Sequence, residues 1–332
     1  MQNINVGFIG SGFIAGAHAA ALQRLGGVHL AACCDVNLAA AEALSAWTGC
    51  KASVDMAEVI EASDAVWVCT PPGGHLGQVL ACLEAGRSVY CDKPLAVTLE
   101  DGQAIVDAAS QSEAQTAIGF NCRFHAPWQQ AKSALDAGEL GEARMFYATR
   151  MGWGTQVGWR RDPAQLCGMT IESISHDVDL LRWLLGDVSE VSARTLATDP
   201  SQPQFDNCLI ANLNMACGAI AGIQASWASA VPISRHGLIG TAGTLVIEGP
   251  RLFEFTALRQ ASPGGGTEQT RRYSAAGIDV TGACKHFIDA IRGEADLQIP
   301  IADGLRSLEV CTALIESARA GGTPIAIKEP NA

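Results

Sequence analysis

Residues 6–15 read Val-Gly-Phe-Ile-Gly-Ser-Gly-Phe-Ile-Ala. An apolar run ends in a glycine turn, and a helical apolar pattern starts at once. A strand that feeds a helix through such a bare loop opens a βαβ unit. Gly10 permits the tight turn. Gly12 lacks a Cβ, so a pyrophosphate can approach the amides of the helix N-terminus, and Ala15 lets helix and strand pack closely. The next apolar run, Val28 to Cys34, ends at Asp35. It falls about 20 residues after the loop, where a carboxylate accepts hydrogen bonds from ribose hydroxyls. The pattern predicts a dinucleotide site with Gly10, Gly12, Phe13 and Ile14 at the pyrophosphate and Asp35 on the ribose. Val36 and Asn37 follow Asp35, with no Arg or Lys beside it. A 2′-phosphate would meet a negative charge without a cation partner, which favours NAD over NADP.

The grammar of the first third extends this unit. Strands are expected at Asn5 to Ile9, Val28 to Cys34, Ala65 to Thr70, Ser88 to Cys91 and Ala114 to Phe120. Helices alternate with them: Phe13 to Leu25, Leu38 to Trp47, a stretch ending near Glu84, and one running from a Thr98 cap to about Ser110. Strands that are continuous apolar runs between helices indicate a doubly wound parallel sheet, an α/β Rossmann arrangement. After about Cys122 the pattern changes. A helix is expected around Ala131 to Asp136, a strand over Ala143 to Met151, and a helix over Ser173 to Leu185. Alternating runs follow at Val188 to Thr198, Cys208 to Met215, Gly218 to Ser229, Arg235 to Gly240 and Thr244 to Glu248, then a Ser262 to Gly266 loop. Late helices span about Thr281 to Arg292 and Asp303 to Ala320. This is an α+β domain with a large, mostly antiparallel open sheet. The expected division is residues 1–122 and 123–332, in keeping with two domains for 332 residues.

Composition narrows the function. The net charge is −12, so a nucleic-acid partner is excluded in favour of a small molecule. The twelve cysteines include no Cys-x-x-Cys, and most lie in apolar runs, so buried free thiols are expected and a structural zinc is not. Val6 to Leu25 has no basic segment ahead of it, and no run reaches about 18 uninterrupted apolar residues. A soluble, cytoplasmic protein without a membrane partner is expected.

Three further strings carry chemistry. Thr70-Pro71-Pro72 with His75 follows one strand, and Cys91-Asp92-Lys93-Pro94-Leu95 follows the next. Both lie at the carboxyl ends of parallel strands, where open α/β sheets bind ligands. In the third, Glu172, His176 and Asp179 share one face of a helix, which gathers two acids around one imidazole. Each has a plainer reading: a surface lysine, a packed histidine, an acid-rich first turn.

Taken in order, the strings are more specific. The chain resembles the Gfo/Idh/MocA family, named for glucose–fructose oxidoreductase and inositol dehydrogenase. The resemblance rests on Gly10-x-Gly12-x-x-Ala15, Thr70-Pro-Pro-x-x-His75, Asp92-Lys93-Pro94 where Glu-Lys-Pro is usual, and Gly119-Phe-Asn121-x-Arg123-Phe124. Gly158-Trp159-Arg160, His176-x-x-Asp179-x-x-Arg182-Trp183-Leu184-x-Gly186 and Gly240-Thr-x-Gly243 complete it. It implies a dehydrogenase that oxidises a secondary alcohol of a cyclic polyol or sugar with NAD, as inositol 2-dehydrogenase does. It also implies a homodimer or homotetramer. Lys93 would sit at the nicotinamide and the reacting oxygen, His176 would be the general acid/base, and Glu172 would support it. Thr70, Pro71 and His75 would lie against the cofactor, and Asn121, Arg123, Trp159 and Arg160 against substrate. Glu172 stands where inositol dehydrogenases carry Asp, and Cys167-Gly168 where the family has Gly-Gly. Another pyranose, an anhydrosugar or a dihydrodiol stays open as substrate, as does a catalytically silent NAD-binding regulator.

Overall fold

The computed structural model describes residues 3–154, 158–162, 165, 168–202, 205–264, 266–274 and 278–328. In chain order its elements begin β1 (Ile4–Ile9), α1 (Phe13–Leu22), β2 (Val28–Cys34), α2 (Leu38–Thr48), β3 (Lys51–Ser53), α3 (Met56–Glu61), β4 (Ala65–Val68), α4 (His75–Glu84), β5 (Ser88–Cys91), α5 (Leu99–Ser110) and β6 (Thr116–Ile118). They continue with α6 (Ala126–Asp136), β7 (Ala143–Trp153), a π-turn (Thr170–Ile174) running into α7 (Ser175–Leu185), β8 (Val188–Leu196), β9 (Cys208–Met215), β10 (Ile220–Ser226) and β11 (Ala228–Gly240). The last are β12 (Thr244–Gly249), β13 (Ala257–Ala261), β14 (Gln269–Arg272), α8 (Thr281–Ile291), α9 (Ile301–Arg319) and β15 (Ile325–Ala326).

The first sheet is wholly parallel, in the order β3-β2-β1-β4-β5-β6. Its strands are apolar on both faces because helices cover both. Val6, Phe8, Val66, Trp67, Val89 and Tyr90 are all fully buried. The order turns back on itself between β1 and β4, so the loops after these two strands diverge and leave a crevice at the carboxyl edge. Gly10, Thr70 and Lys93 all follow strands at that edge. One strand of this sheet and one helix beside it escape the pattern reading. β3 is Lys-Ala-Ser, which carries no apolar run, and α3 is six residues long.

The chain divides into two compact units, and the division is not one cut. The first unit holds residues up to Asn121, together with Gln165 and Asp279–Leu308. The returning segment completes its core, which the 123–332 assignment leaves out. The Phe287 ring of α8 lies 5.4 Å from Trp67 and 5.7 Å from Tyr90, which stack on each other at 5.4 Å. The Cys284 thiol lies 3.1 Å from His18 Nδ1 on α1, and burial holds that histidine down at about 4. Ile118 donates its amide to Ile299 O at 3.0 Å, so the return also extends the β6 edge.

The second unit is built on a sheet whose order is β14-β13-β12-β11-β7-β10-β9-β8-β15. Its ladders are antiparallel except β7 with β10. β9 alternates strictly: Leu209, Ala211, Leu213 and Met215 are buried, while Ile210, Asn212 and Asn214 are exposed. One face therefore packs and the other is open. The pattern reading stops at β12. β14 is Gln-Thr-Arg-Arg, exposed at every residue, and no hydrophobic period marks it. Eleven cysteines are described, all free, and nine are buried. Among the described residues no helix is long and apolar enough to cross a membrane.

Candidate active-site residues

The glycine loop is the open end of α1. Gly10 has φ +90°, and a Cβ there would come within 2.8 Å of the Cys69 carbonyl. Only glycine satisfies both conditions. Gly12 is the N-cap of α1, no side chain caps it, and a Cβ added there would meet nothing within 4 Å. The first turn thus carries no side-chain cap, with Phe13 exposed at its start and Ala15 fully buried beneath. Asp35 is tied to the same loop. Its Oδ2 accepts from Ser11 N at 2.9 Å, and its Oδ1 accepts from Asn37 N at 2.9 Å. Each oxygen keeps a lone pair for a further donor, and Val36 next to it is fully exposed. An uncapped helix start and a fixed carboxylate, followed in the chain by Val36 and Asn37, fit a dinucleotide with a free ribose 2′-hydroxyl.

The two carboxyl-edge loops are joined by His75. Its ring is fully buried, with Nε2 at 2.9 Å from Thr70 O and Nδ1 at 3.1 Å from Leu95 O. A neutral imidazole donates only once, and the Cys91 thiol also lies 3.4 Å from Nδ1. Burial holds the ring below the ordinary histidine range, hence neutral. His75, expected against the cofactor, has no exposed surface and pins the Thr70 and Leu95 loops to each other. Thr70 and Pro71 stay half-buried at the loop surface, Thr70 donating its hydroxyl to Gln78 Oε1 at 2.6 Å.

Lys93 is half-buried in the turn after β5. Asp92 folds back under it, accepting the Lys93 amide on Oδ1 at 2.9 Å. The Asp92 carboxylate lies where a Cβ on Gly119 would be, 2.6 Å from that point, so the Gly119 in the sequence string makes its room. Lys93-Pro94 is a cis peptide. Asn121, expected on substrate, gives its amide to Asp279 O at 2.8 Å and so ties down the returning segment.

In the second unit the structure regroups the residues read as one helix face. Glu172 lies in the π-turn and His176 in α7, so the spacing between them is not that of an α-helix. The acids have separate cations. Asp179 pairs with Arg123, whose Nε donates at 2.9 Å and whose Nη2 takes the other oxygen. Both side chains are buried, so Arg123, expected on substrate, ties its segment to α7 through Asp179. Glu172 pairs with Arg160, whose Nε lies 2.8 and 3.0 Å from its two oxygens, with Nη2 also engaged. The Arg160 guanidinium stacks on Trp159 at 4.4 Å. Trp159, Arg160 and Glu172, three sequence-selected residues, therefore form one group. His176 Nδ1 lies 3.7 Å from the Cys122 thiol.

Two buried acids escaped the sequence reading as anchors. Asp177 accepts from His236 Nε2 at 2.8 Å and from Arg150 Nη1. Burial alone would push this carboxyl up, but Arg150 and His236 outweigh it and hold it below the usual range. Its partners come from strands β7 and β11, beyond the reach of any local spacing. Asp206 accepts from Thr170 N at 3.1 Å and Thr170 Oγ1 at 2.5 Å, which closes the start of the π-turn. Burial pushes it up to about 6. Gly168, at φ +71°, leaves that carboxylate its space, while Cys167 lies outside the described residues.

Comparison with known proteins agrees with this anatomy. Residues 4–120 match the family model described as an oxidoreductase family with an NAD-binding Rossmann fold, and residues 128–246 match the Gfo/Idh/MocA C-terminal domain. The chain is 30% identical to an inositol 2-dehydrogenase of Rhizobium meliloti over 195 residues, 56% of either protein. The match therefore spans little more than half the length of that relative. An inositol 2-dehydrogenase of Mycolicibacterium gilvum is 27% identical over 336 residues, 97% of this chain and 93% of the relative. The WlbA dehydrogenase from Bordetella pertussis, solved with NADH and UDP-GlcNAcA, superposes with a TM-score of 0.84 at 25% identity. That superposition covers 99% of this chain and 100% of the other.

Proposed function

Because this chain belongs to the Gfo/Idh/MocA oxidoreductase family, we propose that it is an NAD-dependent dehydrogenase acting on a secondary alcohol of a cyclic polyol or sugar, in the manner of an inositol 2-dehydrogenase. The carrying observation is the uncapped α1 terminus at Gly12 with Asp35 tied to the same loop. Gly10, Gly12, Phe13, Ile14 and Asp35 would hold NAD, with Thr70, Pro71 and Lys93 along the carboxyl edge. When bound, NAD supplies the hydride acceptor. The protein supplies position and proton chemistry.

His176 takes the alcohol proton, a task that suits an imidazole because its ordinary pKa of about 6.5 lies near working pH. Lys93 holds its ammonium against the same oxygen, where it stabilises developing negative charge. Glu172, oriented by Arg160, accepts hydrogen bonds from neighbouring substrate hydroxyls, and Trp159 offers a flat apolar wall to a ring. The similarity to curated inositol 2-dehydrogenases supports a cyclic polyol as substrate. The exposed Ile210, Ile220 and Ile233 on the open sheet support a homodimer or homotetramer, measurable by light scattering.

The test is formation of reduced nicotinamide, followed by absorbance, on a panel of inositols, aldoses and anhydrosugars with NAD and with NADP. Lys93→Ala and His176→Ala run beside the unaltered chain and should each lose at least about 100-fold in turnover. Full activity in either variant removes that residue from the mechanism. Silence across the panel, with NAD still bound, would point to a regulator that has lost catalysis.

A further inference from the structure

Beside His176 stands a residue that no motif selects. Phe253 has φ +64°, the one positive φ of a non-glycine residue among those described. A phenylalanine rarely adopts this left-handed conformation, and it persists only where the surroundings over-determine it. The surroundings here do so on both sides. Leu252 fills the place of a missing side chain on Gly152 in β7, where an added Cβ would lie 2.9 Å from its Cδ1. The carbonyl oxygen of Glu254 occupies the corresponding place on Gly249, 1.3 Å from where a Cβ would be. Hydrogen bonds from Glu254 N to Arg251 O at 3.2 Å and from Thr256 N to Glu248 O at 2.8 Å close the turn between β12 and β13. The two glycines thus accept the residues flanking Phe253 and leave its ring aimed at one place.

That place lies between a guanidinium and the imidazole. The Arg150 guanidinium lies over the Phe253 ring at 4.2 Å. The same arginine donates to Ser173 O at 3.2 Å and Ser173 Oγ at 3.3 Å, and it pairs with Asp177, on either side of His176 in sequence. The Phe253 ring meets the His176 ring edge to face, with centroids 5.0 Å apart and planes at 69°. The imidazole is therefore bounded by an aromatic ring whose own position is fixed by backbone, cation and glycine gaps.

We propose that Phe253 is a positioning residue for His176, held by Arg150 and by the Gly152 and Gly249 gaps, and that it sets the direction in which the imidazole takes its proton. This rests on the assignment of His176 as the base. A misaimed base costs turnover more than binding, because alignment matters at the reacting atoms.

The experiment uses the full chain with ¹³C-labelled histidine, the His176 signal being identified by its loss in His176→Gln. Phe253→Leu keeps an apolar side chain but removes the ring. The expected result is a shift of the His176 Cε1–H resonance as the ring current is lost, and about a tenfold fall in kcat with the KM for NAD unchanged. Phe253→Tyr keeps the ring and should restore both the resonance and kcat. An unmoved resonance with unchanged kcat in Phe253→Leu would overturn the proposal. So would a fall in kcat that Phe253→Tyr fails to rescue. Full activity of His176→Gln would instead overturn the assignment of the base, and the resonance would still report whether Phe253 orients that ring.

Discussion

The start of α1 and the start of the π-turn before α7 are built from the same parts and do opposite things. Each follows a glycine with positive φ, Gly10 at +90° and Gly168 at +71°. At α1 the N-cap is another glycine, no side chain caps the turn, and the space beyond is open. Ahead of α7 the buried Asp206 already occupies the corresponding donors through Thr170 N and Oγ1. A helix terminus becomes a binding site only when its own chain leaves the amides unspent. The glycine gives access in one case and makes room for an internal carboxylate in the other.

Four changes would break or sharpen that contrast. The largest effect belongs to Gly168→Ala, whose Cβ would stand 2.1 Å from Asp206 Oδ1. A left-handed alanine and the displaced capping bonds should cost about 3 to 4 kcal/mol in urea denaturation, with NAD affinity unchanged. Unaltered stability would mean that Asp206 does not depend on the gap.

Asp206 itself tests the enclosed terminus by pH. Its folded value of about 6 lies above the ordinary 3.8, so the native state holds the proton more tightly than the unfolded chain. Its stabilising contribution is complete below about pH 4 and is lost as pH rises through 6, by up to roughly 3 kcal/mol. Asp206→Asn keeps an acceptor for Thr170 but does not titrate. The variant should therefore lose less stability than the unaltered chain between pH 5 and pH 8. Identical pH dependence of the two would show that Asp206 titrates as an ordinary surface acid.

The open terminus should respond in binding alone. Gly12→Ala meets nothing in the fold, so the denaturation midpoint should hold while NAD affinity falls about 10- to 100-fold by calorimetry, through loss of one or two charge-assisted hydrogen bonds. Unchanged affinity would place the cofactor elsewhere. The smallest effect is at an ordinary surface terminus, α5, where Thr98 Oγ1 accepts from Asp101 N at 3.1 Å. Thr98→Ala should cost about 1 kcal/mol of stability with kcat and KM intact.

The same contrast explains what could be read from the chain. The α1 terminus is local: strand, Gly10, Gly12, helix and Asp35 lie within about 30 residues, so spacing alone defines them. The Thr98 cap and the strands over Val28–Cys34 and Cys208–Met215 are local in the same sense. The surroundings of His176 are assembled from distant strands. Arg123 reaches Asp179 across 56 residues, and His236 reaches Asp177 across 59. No periodicity records which cation an acid will meet, and the π-turn shifted Glu172 from the helical face on which spacing had set it. Phe253 was invisible for a further reason. Its role depends on two absent side chains, at Gly152 and Gly249, and in the sequence these look like any other glycines.

The return of residues 279–308 to the first unit sets an order of assembly. As the chain leaves the ribosome, the six parallel strands are all present once Ile118 has emerged. The rings of Trp67 and Tyr90 still lack Phe287, and β6 still lacks its bridge to Pro300. The nucleotide-binding half must therefore wait, with an aromatic seam uncovered, through the synthesis of the eight strands β7 to β14 of the second sheet. A fragment ending near residue 122 would carry every glycine of the loop and still be an unfinished domain.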